Sequence, residues 1–373
     1  MTAASTSRFE IFLVTAPGLE AVLAAEARER GFRDVMAIKG GVTVSGGWPE
    51  VWRANLDLRG AARVLARLGS FRAHHLAQLD KRARKIAWSQ VLRGDVPFAV
   101  EATCRSSRIY HSGAAAERIA RAIEETLGTK GSKDADVVVK ARIEDDLVTL
   151  AVDTTGDPLH RRGHKEAVAK APMRENLAAM FLRLSGYDGH EPVLDPMCGS
   201  GTFVIEAAEI AAGLKPGRSR HFAFERLATF DERAWSAMRG LPEAADTLLR
   251  FHGSDRDGGA VAMARANATR AGVGHLTQFA QLDASQIVPP PGPAGLVIVN
   301  PPYGARIGEK QRLGVLYRAL GERLKTRFAG WRVGVITSDA QLARATGLPF
   351  EKPHPPVDNG GISVTLYATG ALP

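Results

Sequence analysis

Cysteine is almost absent: Cys104 and Cys198 are the two in 373 residues. They have no partner spacing for a zinc site and leave little scope for a disulfide framework, so no metal is expected and a reducing, cytoplasmic setting is. Long apolar runs are also missing from the first thirty residues, which contain acids instead. A secretory signal or spanning helix there is therefore not supported, and no membrane partner is expected. Disorder is not expected either, because hydrophobic residues make up 45% and charged residues 24%, a balance that can bury large cores. No internal repeat is evident.

At 373 residues the chain is too long for one ordinary core, and two or three units are expected. The net charge is +9, and its location is more informative than its size. Residues 51–100 hold ten basic and three acidic side chains, residues 301–350 hold nine and three, and the rest is nearly balanced. Two basic zones far apart in sequence suit a polyanion that touches more than one part of a monomeric protein, since phosphate contacts give affinity without reading sequence. Solvated helix faces would give the same counts. Lys81, Arg82, Arg84 and Lys85 form the better cluster for phosphate contact, with Arg105 and Arg108 as further candidates. His74, His75 and His111 read as surface polar residues rather than ligands.

Residues 8–14 read as a strand, Leu19 to Arg30 as an alanine-rich helix and 40–47 as a short strand between turn signals, the start of a small α+β unit. Arg59, Arg63 and Arg67, at i, i+4 and i+8, are expected on one helix face. Phe98 to Cys104 predicts a strand, Ala114 to Leu127 a helix with Ile119 and Ile123 inward, and 137–143 with 147–152 a strand pair. Residues 153–170 are polar, with Gly156, Pro158 and Gly163, and read as a linker or crossing. Strand and helix signals then alternate, with apolar strands at 192–195, 249–254, 276–280, 296–299 and 332–337, and a closing one over 362–367. That is the pattern of a doubly wound parallel sheet.

Val193-Leu-Asp195-Pro196-Met-Cys198-Gly199-Ser-Gly201-Thr202 is a strand ending in an acid, then a glycine turn leading into an apolar helix. This order sets exposed backbone amides beside a ligand at the carboxyl edge of a sheet. The dinucleotide fingerprint is not met: the third glycine is missing, and the next strand-end acid, Asp255, lies far beyond the usual spacing of about 20 residues. The lysine of a nucleoside-triphosphate loop is missing too. Cys198 reads as a small packing residue.

A second signal is the apolar strand Leu296 to Val299 running into Asn300-Pro301-Pro302-Tyr303. Consecutive prolines fix φ and remove both amide donors. The loop can then accept two N–H bonds from one amine, at the Asn300 side-chain oxygen and the Pro301 carbonyl. An exocyclic base amine is a poor nucleophile, and orientation toward an electrophile supplies its reactivity without a metal. Tyr303 can stack on a base swung out of its helix. The same acceptors suit guanine N2 and adenine N6.

Together with Asp153-Thr-Thr-Gly-Asp-Pro-Leu-His-Arg-Arg-Gly-His164 and Ala171-Pro172-Met-Arg-Glu175-Asn-Leu-Ala-Ala-Met180, these motifs resemble the THUMP-containing class I guanine-N2 RNA methyltransferases, and most closely the bacterial large-subunit rRNA enzymes. The resemblance implies S-adenosylmethionine as cofactor and RNA as partner, 23S rRNA first and tRNA as the rival. It implies a Rossmann-like α/β catalytic domain, mostly parallel with an antiparallel last strand, over 191–373. A ferredoxin-like domain over 1–60, a THUMP domain over 61–155 and a linker with a cofactor-covering helix over 156–190 would precede it. Asp195, Gly199 and Gly201, with Pro196 and Thr202 in the same loop, would surround the methionine part. Asp255 would accept from the ribose hydroxyls, Asp257 could exchange roles with it, and Asp283 would meet the adenine amine. Pro172 and Glu175 would lie over the cofactor, Glu175 near its amino group. Many bacterial relatives are fused to a second methyltransferase domain. An adenine-N6 enzyme and an RNA-binding assembly factor remain alternatives.

Overall fold

The structure, a computed structural model, describes residues 8–165, 173–240, 247–303 and 307–373. It divides into two compact units, one of Met1–Thr15, Leu23–Leu159 and Arg220–Gly240, the other of Ala16–Val22, His160–Ser219 and Leu241–Pro373.

The first unit contains β1 (Phe9–Val14), most of α1 (Glu20–Glu29), β2 (Arg33–Ile38), β3 (Gly41–Gly46), α2 (Trp48–Asp57), β4 (Arg63–Arg72), α3 (Leu76–Ala83), β5 (Phe98–Arg105), α4 (Ser112–Leu127), β6 (Val137–Glu144) and β7 (Leu147–Asp153). All seven strands share one sheet in the order β2-β3-β1-β4-β7-β6-β5. Side-chain alternation builds it: in β6, Val137, Val139, Ala141 and Ile143 are buried while Arg142 faces solvent. Helix α4 buries Ile119 and Ile123 as expected. His75 and His111 cap α3 and α4, accepting from Gln78 N and Ala114 N through Nδ1.

One sequence expectation is corrected in this unit. Arg63 and Arg67 lie on strand β4, and Arg59 is buried before it, so the three do not share a helix face. A spacing of four is also a whole number of strand periods, and the inward Val64 and Ala66 settle the period at two. Arg63 pairs with Asp153 at 2.6 Å and Arg67 with Glu10. Residues 220–240 pack within the first unit through α7 (Glu232–Arg239) and the aromatics before it. Phe224 stacks on Trp52 and meets Trp235 edge-on at 4.9 Å between centroids.

The second unit holds α5 (Glu175–Leu184), β8 (Val193–Asp195), α6 (Thr202–Ala211), β9 (Phe251–Asp255), α8 (Gly258–Arg270), β10 (Thr277–Gln281), β11 (Leu296–Val299), α9 (Ile307–Arg327), β12 (Arg332–Thr337), α10 (Ala340–Ala345), β13 (Val357–Asn359) and β14 (Ile362–Ala368). Its sheet runs β10-β9-β8-β11-β12-β14-β13. Strands β8 to β12 are parallel, and β14 is antiparallel to both neighbours. Leu296 and Ile298 enter the core under α5, α6 and α8, while Val297 and Val299 enter the one under α9. All four are fully buried, at about 1.5–3 kcal/mol each. Strand order reverses between β8 and β11, the crevice where ligands bind in such folds. Among the described residues no helix is long and apolar enough to cross a membrane.

Candidate active site

Three neighbouring parallel strands present acids at one sheet edge: β8 ends at Asp195, β9 at Asp255, and Asp283 follows β10. Between β8 and α6 the chain turns tightly, with Gly199 at φ +52° and Gly201 at φ +86°, values that side chains rarely adopt. The turn is fixed by Met197 N donating to Asp195 Oδ1 at 3.0 Å, Cys198 N to the Ser254 carbonyl at 2.9 Å and Gly199 N to Asp255 Oδ2 at 3.0 Å. Pro196 is buried within it.

Asp195 is buried, and desolvation pushes its pKa up to about 8, opposed by the Met197 amide and reinforced by Asp255. Burial pushes the Cys198 thiol far above its ordinary range, which removes it as a nucleophile. Asp255 Oδ1 also accepts from Asp257 N at 3.0 Å. Asp257 itself caps α8, accepting from Gly259 N at 2.8 Å. Asp283 accepts from Ser285 Oγ at 2.6 Å and Ser285 N at 2.9 Å, and these bonds hold its carboxyl below the usual range.

Strand β11 lies beside β8, with Val297 opposite Leu194, so the proline loop leaves the same sheet edge next to the glycine turn. Asn300 Oδ1 is buried and has no hydrogen-bond partner. Pro301 is buried, Pro302 exposed and Tyr303 half-buried. The Tyr303 phenol lies 3.5 Å from Asn359 Nδ2, and burial raises its pKa. Tyr317 of α9 supports the loop, its hydroxyl 3.3 Å from the Pro302 carbonyl and 3.2 Å from Thr337 Oγ1. Burial pushes that phenol up to about 12, so it stays a donor.

Glu175 opens α5, is buried, and lies 3.1 Å from Lys165 Nζ. Pro172 and Gly304 lie outside the described residues. The site fits a bound nucleoside cofactor on its own chemistry: α6 starts without a side-chain cap, and Ser200 Oγ and Ser254 Oγ are buried without partners. Among the described residues no cluster of His, Cys, Asp and Glu could hold a metal. Lys165 and Tyr317 escape the sequence reading, one because it stands in a polar basic stretch, the other because a tyrosine in a helix looks like core.

In the first unit, Lys81, Arg82 and Lys85 are exposed on and just after α3. Arg84 is instead held by Asp80, at 2.9 Å, and Glu125, which raise its pKa. Arg105 is exposed at the end of β5. Arg108 is exposed too, but its amide donates to Asp146 at 2.8 Å and its side chain lies 3.7 Å from the same carboxylate.

The family description RMKL-like, methyltransferase domain, matches residues 162–368, the RlmL ferredoxin-like domain matches 10–65 and the THUMP domain 73–153. The chain is 34% identical to the ribosomal RNA large subunit methyltransferase K/L of Psychromonas ingrahamii over 90% of its own length, and it spans 47% of that relative, about half. It is 33% identical to slr0064 of Synechocystis sp., whose name describes an RNA methyltransferase, over 95% of both chains. The crystal structure of SMU.472, a methyltransferase complexed with SAH (S-adenosylhomocysteine), superposes with a TM-score of 0.89 and 28% identity, covering 99% of this chain and all of that one. With the domains of both halves and the whole fold matched, this chain belongs to the RMKL-like methyltransferase family, in which RlmL ferredoxin-like and THUMP domains precede an S-adenosylmethionine-dependent catalytic domain.

Proposed function

We propose that this chain methylates the exocyclic N2 amine of a guanine in structured RNA, and that the RNA is 23S ribosomal RNA. The observation that carries the choice of an amine is Asn300 Oδ1, a buried acceptor with no donor, on the strand next to the glycine turn. A buried polar atom left unpaired costs about 1–3 kcal/mol, and an incoming N–H would remove that cost.

The Asn300 side-chain oxygen takes one hydrogen of the target amine and the Pro301 carbonyl the other. Tyr317, by its bond to the Pro302 carbonyl, holds the loop in place. Tyr303 offers its ring to the displaced base, with Asn359 fixing the phenol end. On the donor side, Asp195, Pro196, Gly199, Gly201 and Thr202 line the methionine part, Asp255 takes the ribose hydroxyls, Asp257 bounds the same turn, and Asp283 takes the adenine amine. Pro172 and Glu175 cover it. S-adenosylmethionine supplies the electrophilic sulfonium methyl when bound. The residues then contribute orientation and exclusion of water, and the proton that the methylated amine must lose departs to solvent.

RNA as substrate is supported by the THUMP match and the exposed Lys81, Arg82, Lys85, Arg105 and Arg108. The large-subunit assignment follows the name of the Psychromonas relative. Mass spectrometry of nucleosides from cells with and without the gene is the test. Loss of N2-methylguanosine from the large-subunit rRNA is expected. Its loss from tRNA alone would move the substrate, a missing N6-methyladenosine would reject the base, and no lost methylation from any RNA would favour an assembly factor.

A further inference from the structure

Lys165 is a largely buried lysine beside a helix N-terminus. Its side chain is 9% exposed, and Nζ lies 2.9 Å from Thr202 Oγ1, 3.1 Å from Glu175 Oε1 and 3.4 Å from the Met173 carbonyl. Thr202 opens α6, whose N-cap Gly201 offers no side-chain acceptor and whose first turn contains no acid. A helix N-terminus carries roughly half a positive charge and favours anions, so an ammonium beside it is repelled unless a negative group is present. Glu175 is that group. Buried ion pairs seldom improve on apolar packing for stability, which directs attention to a ligand. Two more polar atoms lie nearby in sequence: Asn176 Oδ1, next to Glu175, and Ser200 Oγ, in the glycine turn, are both buried with no hydrogen-bond partner.

We propose that Lys165 and Glu175 together form a receptor for a zwitterion, the amino-acid end of the cofactor. The carboxylate goes to Lys165 and the uncapped amides of α6, and the ammonium goes to Glu175. This rests on the reading above, in which Glu175 and the glycine turn hold the methionine part. On binding, one ion pair becomes two, so each buried charge has a partner with and without ligand. Lys165 is a binding and positioning residue: by fixing the carboxylate it fixes where the attached chain, and hence its sulfur, lies.

The test is calorimetric titration of the full chain with three probes: SAH, decarboxylated SAH, which keeps the amine, and methylthioadenosine, which lacks the whole amino-acid end. Lys165→Met should lower SAH affinity by about tenfold to a hundredfold, the size of one lost charge-assisted hydrogen bond. Its affinity for methylthioadenosine should change by less than about threefold and its affinity for decarboxylated SAH should not fall, since neither carries the carboxylate. Lys165→Arg should recover part of the SAH affinity and carries the test should the methionine variant fail to fold. Unchanged SAH binding by Lys165→Met, or equal loss for all three probes with folding intact by circular dichroism, would overturn the assignment of Lys165. Should the unaltered protein bind SAH no better than methylthioadenosine, the reading of the methionine end itself fails.

Discussion

Asn300 sets stability against chemistry at a single atom. Its buried, unpartnered oxygen weakens the folded state, and it is the acceptor proposed above for the amine. Asn300→Ala is therefore expected to leave the melting temperature unchanged or slightly higher. It should lower kcat by about a hundredfold to a thousandfold, as for other pre-set donors and acceptors, and leave SAH affinity within several fold. Stopped turnover with equal loss of SAH binding would mean that the loop belongs to the cofactor side. Asp195 makes a second residue-scale prediction. Burial lifts its pKa from 3.8 to about 8, so between those values the folded chain keeps a proton that the unfolded chain has released. Stability is then lost as pH rises through that window, and Asn at 195, which does not titrate, avoids the loss. The stability of Asp195→Asn minus that of the unaltered protein, read from unfolding at each pH, should grow from pH 5 to pH 8 and level off above, with a limit on the order of a few kcal/mol. A difference independent of pH would show Asp195 ionised throughout. Both residues were legible in the sequence as strand-end polar groups before Gly-rich and Pro-rich turns. Tyr317 was not, because its bond to the Pro302 carbonyl joins groups brought together only by packing of α9.

At the scale of elements, α6 shows what periodicity hides. The sequence reads it as an apolar helix, yet it carries Glu206 and Glu209, and both are buried. Arg162, from the stretch expected to be a linker, meets Glu206 at 3.0 Å with both side chains about 1% exposed, and Arg218 meets Glu209 at 2.5 Å. His164 lies 3.9 Å from Glu209, and desolvation lowers its pKa. Arg162 thus ties its part of that stretch to α6 by charge, and such pairing between distant segments leaves no periodic trace. Breaking a buried pair leaves a charge uncompensated, which costs about 3–5 kcal/mol. Arg162 and Glu206 have further partners, so Glu206→Leu is expected near the low end, about 3 kcal/mol in urea unfolding. The double variant Arg162→Met, Glu206→Leu should recover most of it, because two apolar groups of similar volume replace the pair. A double variant no more stable than the single one would mean that the further partners dominate. Strand β4 failed to appear for a different reason: spacing of four fits both periods, and only the buried Val64 and Ala66 decide. In the second sheet β8, β11 and β12 were legible because parallel strands buried on both faces read as short apolar runs, whereas the short antiparallel strand β13 was not anticipated.

For the molecule as a whole, net charge says that a polyanion is attracted but does not say which cations meet it. The structure separates them within one cluster. Lys81, Arg82, Arg84 and Lys85 are all exposed, and Arg84 is in addition held by two carboxylates. An arginine already paired releases little counterion when phosphate arrives, while cations not so held contribute about 0.9 to the slope of log affinity against log salt for each phosphate neutralised. The triple variant Lys81→Ala, Arg82→Ala, Lys85→Ala should therefore weaken binding of rRNA fragments and flatten that slope by about two to three, with SAH affinity unchanged. Arg84→Ala should leave the slope nearly as it was and leave stability nearly unchanged, as expected for exposed pairs. Fluorescence anisotropy of labelled rRNA fragments across a salt series reads the RNA affinities and slopes, calorimetric titration reads SAH affinity, and thermal unfolding supplies stability. A slope unaltered by the triple variant would place the RNA on another face, and a slope altered by Arg84→Ala would mean that its ion pairs open to admit phosphate.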